Sequence, residues 1–240
     1  HRIAACVILG VAVLLAHGWS LHDGLGLDDN WHYRTFRESG WSLPELLDAT
    51  TIRSGDLYNL WWQDHPVQFQ YSRPVSVALM KSVYAITGGS VLAQHAVNLL
   101  LHAVNAFIIY MLVNMLFYRP RTALLSAVLF ALGVGQFGRN LLSIAGQESL
   151  LLATLHLTVL YLFIRNDFRH DGRITAPYFI LGIAIYSLTG LTKASTLSLL
   201  GCLVAYKAFF YHTRNRRPVF SNDLLIFLAL GLLFQLGQSR

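Results

Sequence analysis

Apolar segments long enough to cross a lipid bilayer recur along this 240-residue chain, and they constrain its fold more than any other feature. A helix needs ~20 apolar residues to cross a hydrocarbon core of ~30 Å. Apolar residues make up 55% of the chain and charged residues only 12%, against ~25% charged in soluble domains. A soluble fold could not cover its surface with so little charge. We therefore expect an all-α polytopic membrane protein.

Seven apolar runs are candidate membrane helices. They are residues 3–17, 91–117, 123–137, 149–164, 178–191, 194–210 and 224–236. The first run could instead be the core of a cleaved signal peptide, but no clean small-residue cleavage site follows it, so we expect a membrane helix. Because the chain opens at His1 and ends just after an apolar run, we expect a piece of a longer protein, and we treat residues 1–240 as one transmembrane domain.

The positions of the basic residues indicate how the chain crosses the membrane. They bunch in three turns, each of which is expected on the cytoplasmic side. The turns contain Arg119 and Arg121; Arg165, Arg169 and Arg173; and Lys207, Arg214, Arg216 and Arg217. An even number of crossings must then separate each pair of turns. This predicts about seven crossings, an N-terminus inside, and outer turns near residues 138–147 and Lys193.

Residues 18–90 would then form one extracytoplasmic loop of ~70 residues, where most connections are only a few residues long. The loop is rich in Trp and Tyr, which favour the headgroup layer. Short interfacial helices are predicted at residues 42–51, where Pro44 lies in the first turn, and at residues 75–86. A loop of this length is usually functional.

Several classes of function are not expected. The net charge of +6 is concentrated at the ends of apolar runs, so nucleic acid is not an expected partner. Cys6 and Cys202 lie inside apolar segments and predict neither a disulfide framework nor a thiolate metal site. The ten His residues show no close metal-ligand spacing.

Two adjacent carboxylates, Asp28 and Asp29, are the sharpest chemical feature of the outer loop, and His32 follows them in the run LDDNWHY. Neighbouring carboxylates repel each other, so one of them is expected to bind a proton more tightly and to be usable as a general base. A pair can also hold a divalent cation, so a metal at Asp28 and Asp29 is possible. The alternative is that both residues only cap a helix starting near Trp31.

Three more charged residues lie at predicted outer positions. Arg73, where the chain re-enters the membrane, suits a two-pronged grip on phosphate, or it could simply extend to the interface. Lys193 could contact a phosphorylated lipid. Glu148 could pair with Lys193 or Arg139 in a structural role.

A polar stripe interrupts the 91–117 segment. His95, Asn98, His102 and Asn105 recur at spacings of three and four and so share one helix face. Such stripes usually form hydrogen bonds between membrane helices. His95, nearest the outer end, is the stripe residue we expect in a substrate site.

Five motifs in this order resemble the C-type superfamily of membrane glycosyltransferases (GT-C), closest to the protein O-mannosyltransferases and the tetratricopeptide-repeat mannosyltransferases. They are LDDNWHY (27–33), YSRPV (71–75), QHAVNLLLHAVN (94–105), SIAGQESLL (143–151) and LTKAS (191–195). The third is similar to the family's His-x-x-Asn-x-x-x-His-x-x-Asn helix. Departures are Gln147 for the usual Arg, Ala194 for the usual acid, and the lack of His-Pro before the fourth motif.

The resemblance implies an enzyme that moves a mannose-like or other sugar from a polyprenyl-phosphate donor to an acceptor protein, lipid or glycan on the extracytoplasmic side. Asp28 or Asp29 would be the catalytic base. Arg73 and Lys193 would contact the donor phosphate, with His32, His95 and Glu148 as further binding residues. A divalent cation would be optional, and no other cofactor is implied.

Two other interpretations are a lipid or polysaccharide transporter and an inactive family member. A transporter would more often have paired broken helices, which the sequence lacks. The outer loop contains no clear glycosylation acceptor, which favours a bacterial inner membrane over the endoplasmic reticulum.

Overall fold

The computed structural model of the chain describes residues 2–53, 68–70, 73–133, 140–170, 175–193, 195, 197–212 and 222–238. Within these ranges it forms ten α-helices and one pair of short antiparallel strands. The helices are α1 (Arg2–His17), α2 (Leu27–Glu38), α3 (Leu43–Asp48), α4 (Pro74–Thr87), α5 (Val91–Phe117), α6 (Pro120–Leu132), α7 (Gln147–His170), α8 (Ala176–Gly190), α9 (Leu197–Tyr206) and α10 (Asn222–Gln238). The strands are β1 (Thr51–Arg53) and β2 (Gln68–Gln70).

Three helical stretches among the described residues are long and apolar enough to cross a membrane, which indicates a multi-pass membrane protein. They are Arg2–His22, Val91–Phe117 and Ile144–Arg169. The predicted number of seven crossings is wrong. The remaining apolar helices have 10 to 17 residues, and α6, with 13 residues, is only ~20 Å long at ~1.5 Å per residue. Apolarity identified the helices, but their lengths depend on where the chain turns.

The exposed face of α1 is unusually apolar for a protein surface. Ile3 and Leu15 are more than 80% exposed, and other large apolar side chains on the same helix are also exposed. A hydrocarbon environment would accept this surface, whereas water would not. The buried face of α1 is formed by Ala5, Leu9 and Val13.

Small residues bring α6 close to its neighbours. Ala123, Ala127 and Ala131 follow one another at four-residue spacing and are all fully buried. Together with α1 and α5 they form one apolar cluster. Such a stripe of small residues allows helix backbones to approach closely in a membrane.

The 18–90 segment contains the two predicted short helices. α3 has Ser42 as its N-cap residue, with Glu45 accepting from the Ser42 N–H at 2.9 Å. α4 is followed by its capping residue Gly88, whose φ of 65° is the left-handed conformation favoured at this position. The central part of the predicted aromatic loop, residues 54–67, lies outside the described residues.

A buried lysine fastens the turn after α2 to α4. The Lys81 ammonium donates to the carbonyl oxygens of Ser39 (2.5 Å) and Gly40 (2.6 Å) and lies 4.9 Å from the Trp41 ring centroid. A further apolar cluster includes Tyr33 and Phe36 from α2, Met80 from α4, and Ile144. These contacts fix α2 and α4 beside the start of α7.

Candidate functional site

Asp29 lies in the first turn of α2, and its side chain is fully buried. The Gly26 N–H donates to its Oδ2 at 2.9 Å. Its Oδ1 accepts from the Ser143 hydroxyl at 2.9 Å and from the Ala145 N–H at 3.0 Å. A buried carboxylate is stable only with such partners. Asp29 therefore joins the start of α2 to the segment that precedes α7.

Asp28 differs from Asp29 because its side chain is exposed. Within the described residues, no hydrogen bond to its carboxylate is found. The helix begins at Leu27, before Trp31, with Gly26 as the N-cap residue. The capping interpretation is correct for Asp29, whose carboxylate accepts from the Gly26 N–H, whereas Asp28 forms no such contact among the described residues. The aspartate pair therefore contains one fixed carboxylate and one that a ligand could reach.

The partner segment of Asp29 is itself held by α5. The Asn98 amide donates to the Ser143 carbonyl oxygen at 2.9 Å and to the Asn140 carbonyl oxygen at 3.4 Å. Gly146 allows the chain to fold tightly here, because a Cβ at this position would collide with the Asn140 carbonyl oxygen. This packing fixes both donors to Asp29 Oδ1.

Glu148, in the first turn of α7, forms ion pairs with two cations. Its Oε2 lies 2.6 Å from Arg73 Nη1, and its Oε1 lies 3.0 Å from Lys193 Nζ. The side chains are 12% (Glu148), 22% (Arg73) and 27% (Lys193) exposed, so the cluster is partly open to solvent. The predicted pairing of Glu148 with Lys193 is present, while Arg139 lies outside the described residues. The two cations thus converge on one carboxylate.

Backbone contacts bring these two cations together. Arg73 is the N-cap residue of α4, and the next residue but one, Val75, donates its N–H to the Leu191 carbonyl oxygen at 3.2 Å. The Ser76 hydroxyl donates to the Thr192 carbonyl oxygen at 2.8 Å. These hydrogen bonds therefore hold the start of α4 against the turn that contains Lys193. Tyr71 and Ser72, from the motif around Arg73, lie outside the described residues.

His32 lies within electrostatic reach of both the aspartates and the ion-pair cluster. Burial lowers the pKa of its imidazole, while the nearby carboxylates of Glu148, Asp29 and Asp28 act to raise the pKa and Arg73 acts to lower it. Its ring packs against Trp31 and Phe36. Within the described residues its Nδ1 is buried and has no hydrogen-bond partner. All four charged groups therefore act on one imidazole.

The polar stripe on α5 mainly binds backbone carbonyl groups of neighbouring segments. Its four predicted members are fully buried. His95 Nδ1 lies 3.3 Å from the Leu141 carbonyl oxygen, His102 Nε2 lies 3.2 Å from that of Ala131, and the Asn105 amide donates to that of Leu150 at 3.1 Å. These contacts fit the interhelical role expected for such stripes. His95 contributes to the candidate site by fixing the 140–146 segment.

A fifth stripe member, Gln94, was not predicted. It precedes Asn98 by four residues, so the same spacing argument would have identified it. Its amide donates to the Met80 carbonyl oxygen at 2.9 Å, and its own Oε1 accepts from Gln147 Nε2 at 2.8 Å. Gln147, where the resembling family has Arg, is therefore a buried connection between α5 and α7. Ser143, the partner of Asp29, was also missed, because no local pattern indicates such a distant contact.

The candidate metal position at Asp28 and Asp29 has no third ligand among the described residues. There, no group of three or more His, Cys, Asp or Glu side chains could hold a metal ion. The buried Asp29 carboxylate is already bound by three protein donors. The residues at this position thus do not fit a metal site formed by protein ligands alone.

Comparison with protein-family models, with curated proteins and with solved structures gives no match to this chain.

Proposed function

We propose that this end of the long helices is the active site of a glycosyltransferase that uses a polyprenyl-phosphate sugar as donor. One observation carries the proposal: Arg73 and Lys193 converge on Glu148, and α2, bearing Asp28 and Asp29, lies beside them. Transfer from a phosphate-linked donor needs positive charge where the phosphate departs and a base where the acceptor attacks. This arrangement offers both.

The two cations would bind the departing phosphate. Arg73 presents a planar guanidinium suited to phosphate, and Lys193 provides a second point charge. A ligand phosphate would compete with the Glu148 carboxylate for both cations. Glu148 would then hold the cations in position before the donor binds.

Asp28 is our candidate for the general base, since it is exposed and only one residue from the fixed Asp29. It would accept the proton of the acceptor hydroxyl or amine as the new bond to the sugar forms. Asp29 would act as a positioning residue, because its oxygens already accept three hydrogen bonds. Buried His32 lies near both groups and would shape the same site.

The active face would be extracytoplasmic. The opposite ends of α1, α5 and α7 come together around Arg2, Arg165 and Arg169, and basic ends face the cytoplasm. The donor would therefore be reached from the outer leaflet. The sugar and the acceptor, whether protein, lipid or glycan, are set by parts of the site that these residues do not define.

The test is transfer of radiolabelled sugar from several polyprenyl-phosphate donors by membranes containing the protein at equal expression. Asp28→Asn should lower the transfer rate by about 10²-fold or more, since general-base catalysis contributes ~10² to 10⁴-fold. Glu38→Gln is the matched control, because Glu38 is an exposed acid at the other end of α2. Equal rates for Asp28→Asn and wild type would exclude Asp28 as the base.

A second candidate is a non-enzymatic membrane protein, such as a lipid or polysaccharide transporter or an inactive relative of the enzymes. The observation in its favour is that Glu148 pairs with both cations, as a purely structural network would. Failure of the wild-type protein to transfer sugar from any donor would favour this candidate.

A further inference from the structure

At the end of the molecule opposite the candidate site, a cleft opens between the start of α1, the end of α5 and the end of α7. Its volume is about 320 Å³. Because it lies at the ends of all three candidate membrane spans, it would lie at the level of the lipid headgroups. None of the residues used for the proposed transfer reaction lines it.

The cleft is strongly positive. Arg2, Arg165 and Arg169 line it, and among the described residues no carboxylate does. Arg165 Nη1 donates to the Tyr161 hydroxyl at 3.1 Å, and Arg169 Nη1 donates to the Tyr178 hydroxyl at 2.8 Å. Neutral phenol oxygens orient these guanidinium groups without cancelling their charge.

One acid close in sequence does not serve the cleft, and Asp171 lies outside the described residues. Asp167 lies between the two arginines along α7, but its carboxylate pairs with Lys207 at 2.9 Å. Both side chains of this pair are almost fully buried, at 2% and 1% exposed. Among the described residues, the cleft arginines form no ion pair.

The remaining wall of the cleft is apolar or amphipathic. Met111, Met115 and Phe168 line it, beside Asn114 and Tyr118. Methionine side chains adapt to irregular apolar partners. A free phosphate would use only the arginines, whereas a phospholipid would use the apolar wall as well.

We propose that this cleft binds the headgroup of an anionic phospholipid, with the phosphodiester between Arg165 and Arg169 and the upper acyl chain against Met111 and Met115. Basic pockets between membrane helices on the cytoplasmic side are suited to such headgroups. The positive-inside rule alone would allow these arginines at any position on the cytoplasmic face. It does not explain a cleft with an apolar wall.

The matched control is another basic pair on the same face. Arg119 and Arg121 are exposed, lie just after α5 and do not line the cleft. Removing either pair takes two positive charges from the same side of the protein. Only loss of the cleft pair should weaken the binding of a lipid that occupies the cleft.

The experiment is native mass spectrometry of the purified full protein with phosphatidylglycerol and with phosphatidylcholine of identical acyl chains. We expect wild type to retain phosphatidylglycerol preferentially. A detergent micelle has no anionic membrane surface to attract distant arginines, so a contribution of about five-fold is expected only from an arginine that contacts the lipid phosphate. Arg165→Gln with Arg169→Gln should thus weaken retention by roughly 25-fold. Arg119→Gln with Arg121→Gln should change it by less than about two-fold.

The single substitution Arg169→Gln controls for a folding defect of the double variant, because Arg169 is exposed. It should weaken retention of phosphatidylglycerol by about five-fold. Equal losses in the cleft pair and the control pair would overturn the proposal, as would equal retention of both lipids by wild type. Displacement of phosphatidylglycerol by millimolar glycerol phosphate would also overturn it, since the site would then recognise free phosphate. None of these outcomes depends on sugar transfer.

Discussion

The two ends of the three long helices handle charge in opposite ways. At the end bearing the candidate site, acids and bases are interleaved: Glu148 pairs with Arg73 and Lys193, and Asp29 is buried among donors. At the other end, the described part of the cleft formed by α1, α5 and α7 is lined by arginines without carboxylates. The first arrangement offers a carboxylate that could accept a proton and cations that could bind a phosphate. The second offers positive charge, which attracts anions.

The difference extends to the backbone. At the site end, the 140–146 segment is fixed by Asn98 and by the close approach at Gly146. At the arginine end, the cleft remains open, and phenol groups orient Arg165 and Arg169. Precise geometry is therefore concentrated where chemistry is proposed, and the predictions below test this contrast.

The largest effect is expected from Gly146→Ala. The added Cβ would collide with the Asn140 carbonyl oxygen, a backbone atom that cannot move without displacing the segment. We expect a loss of about 3 kcal/mol in the free energy of unfolding, measured by denaturation in detergent. Gly10→Ala in α1 is the control, since nothing lies within 4 Å of a Cβ there. Equal effects of both changes would mean that the site end is not tightly packed.

Asp29→Asn should have the next largest effect. The amide cannot accept from all three donors at Gly26, Ser143 and Ala145, and hydrogen bonds to a charged group contribute ~1.5 to 3 kcal/mol. We expect a loss of about 2 kcal/mol. Asp28→Asn should change stability by less than ~0.5 kcal/mol, as surface substitutions usually do. A reversed order would contradict the assignment of Asp29 as the positioning residue.

Much of the fold and of the candidate site could be predicted from the sequence. Hydropathy identified the helical class, and spacing identified the polar stripe on α5. Motif order indicated Arg73, Glu148 and Lys193, which the fold brings together. Spacing could not distinguish Asp28 from Asp29, because their difference depends on Ser143 and Ala145, far away along the chain. The predicted number of crossings was wrong for a related reason, because the length of a helix depends on where tertiary contacts make the chain turn.

A smaller effect is expected when single arginines at the two ends are compared. Arg73→Gln should lower the free energy of unfolding by about 1 kcal/mol, because it breaks a partly buried ion pair. Arg169→Gln should change it by less than ~0.5 kcal/mol, since that arginine is exposed. Thermal denaturation of both variants in the same detergent measures the difference. Similar values would remove the proposed asymmetry between the ends.

The smallest effect concerns pH. Burial lowers the pKa of His32 below its ordinary value of 6.5, so the unfolded chain binds a proton more readily than the folded one below that pH. Stability should therefore fall as the pH drops below about 6.5, and His32→Gln should reduce that fall. Melting temperatures of both proteins at pH 5 and pH 7.5 give the comparison. An unchanged pH dependence in His32→Gln would mean that His32 takes up its proton equally in both states.

Binding of a polyprenyl phosphate to the purified protein, in micelles with excess phosphatidylglycerol to occupy the arginine cleft, tests most directly which end takes the reacting phosphate. The account predicts that Arg73→Gln weakens this binding by about ten-fold, as expected for loss of a charge-assisted contact. Arg165→Gln should leave it unchanged. Unchanged binding in Arg73→Gln together with a loss in Arg165→Gln would place the phosphate at the opposite end and contradict the proposed active site.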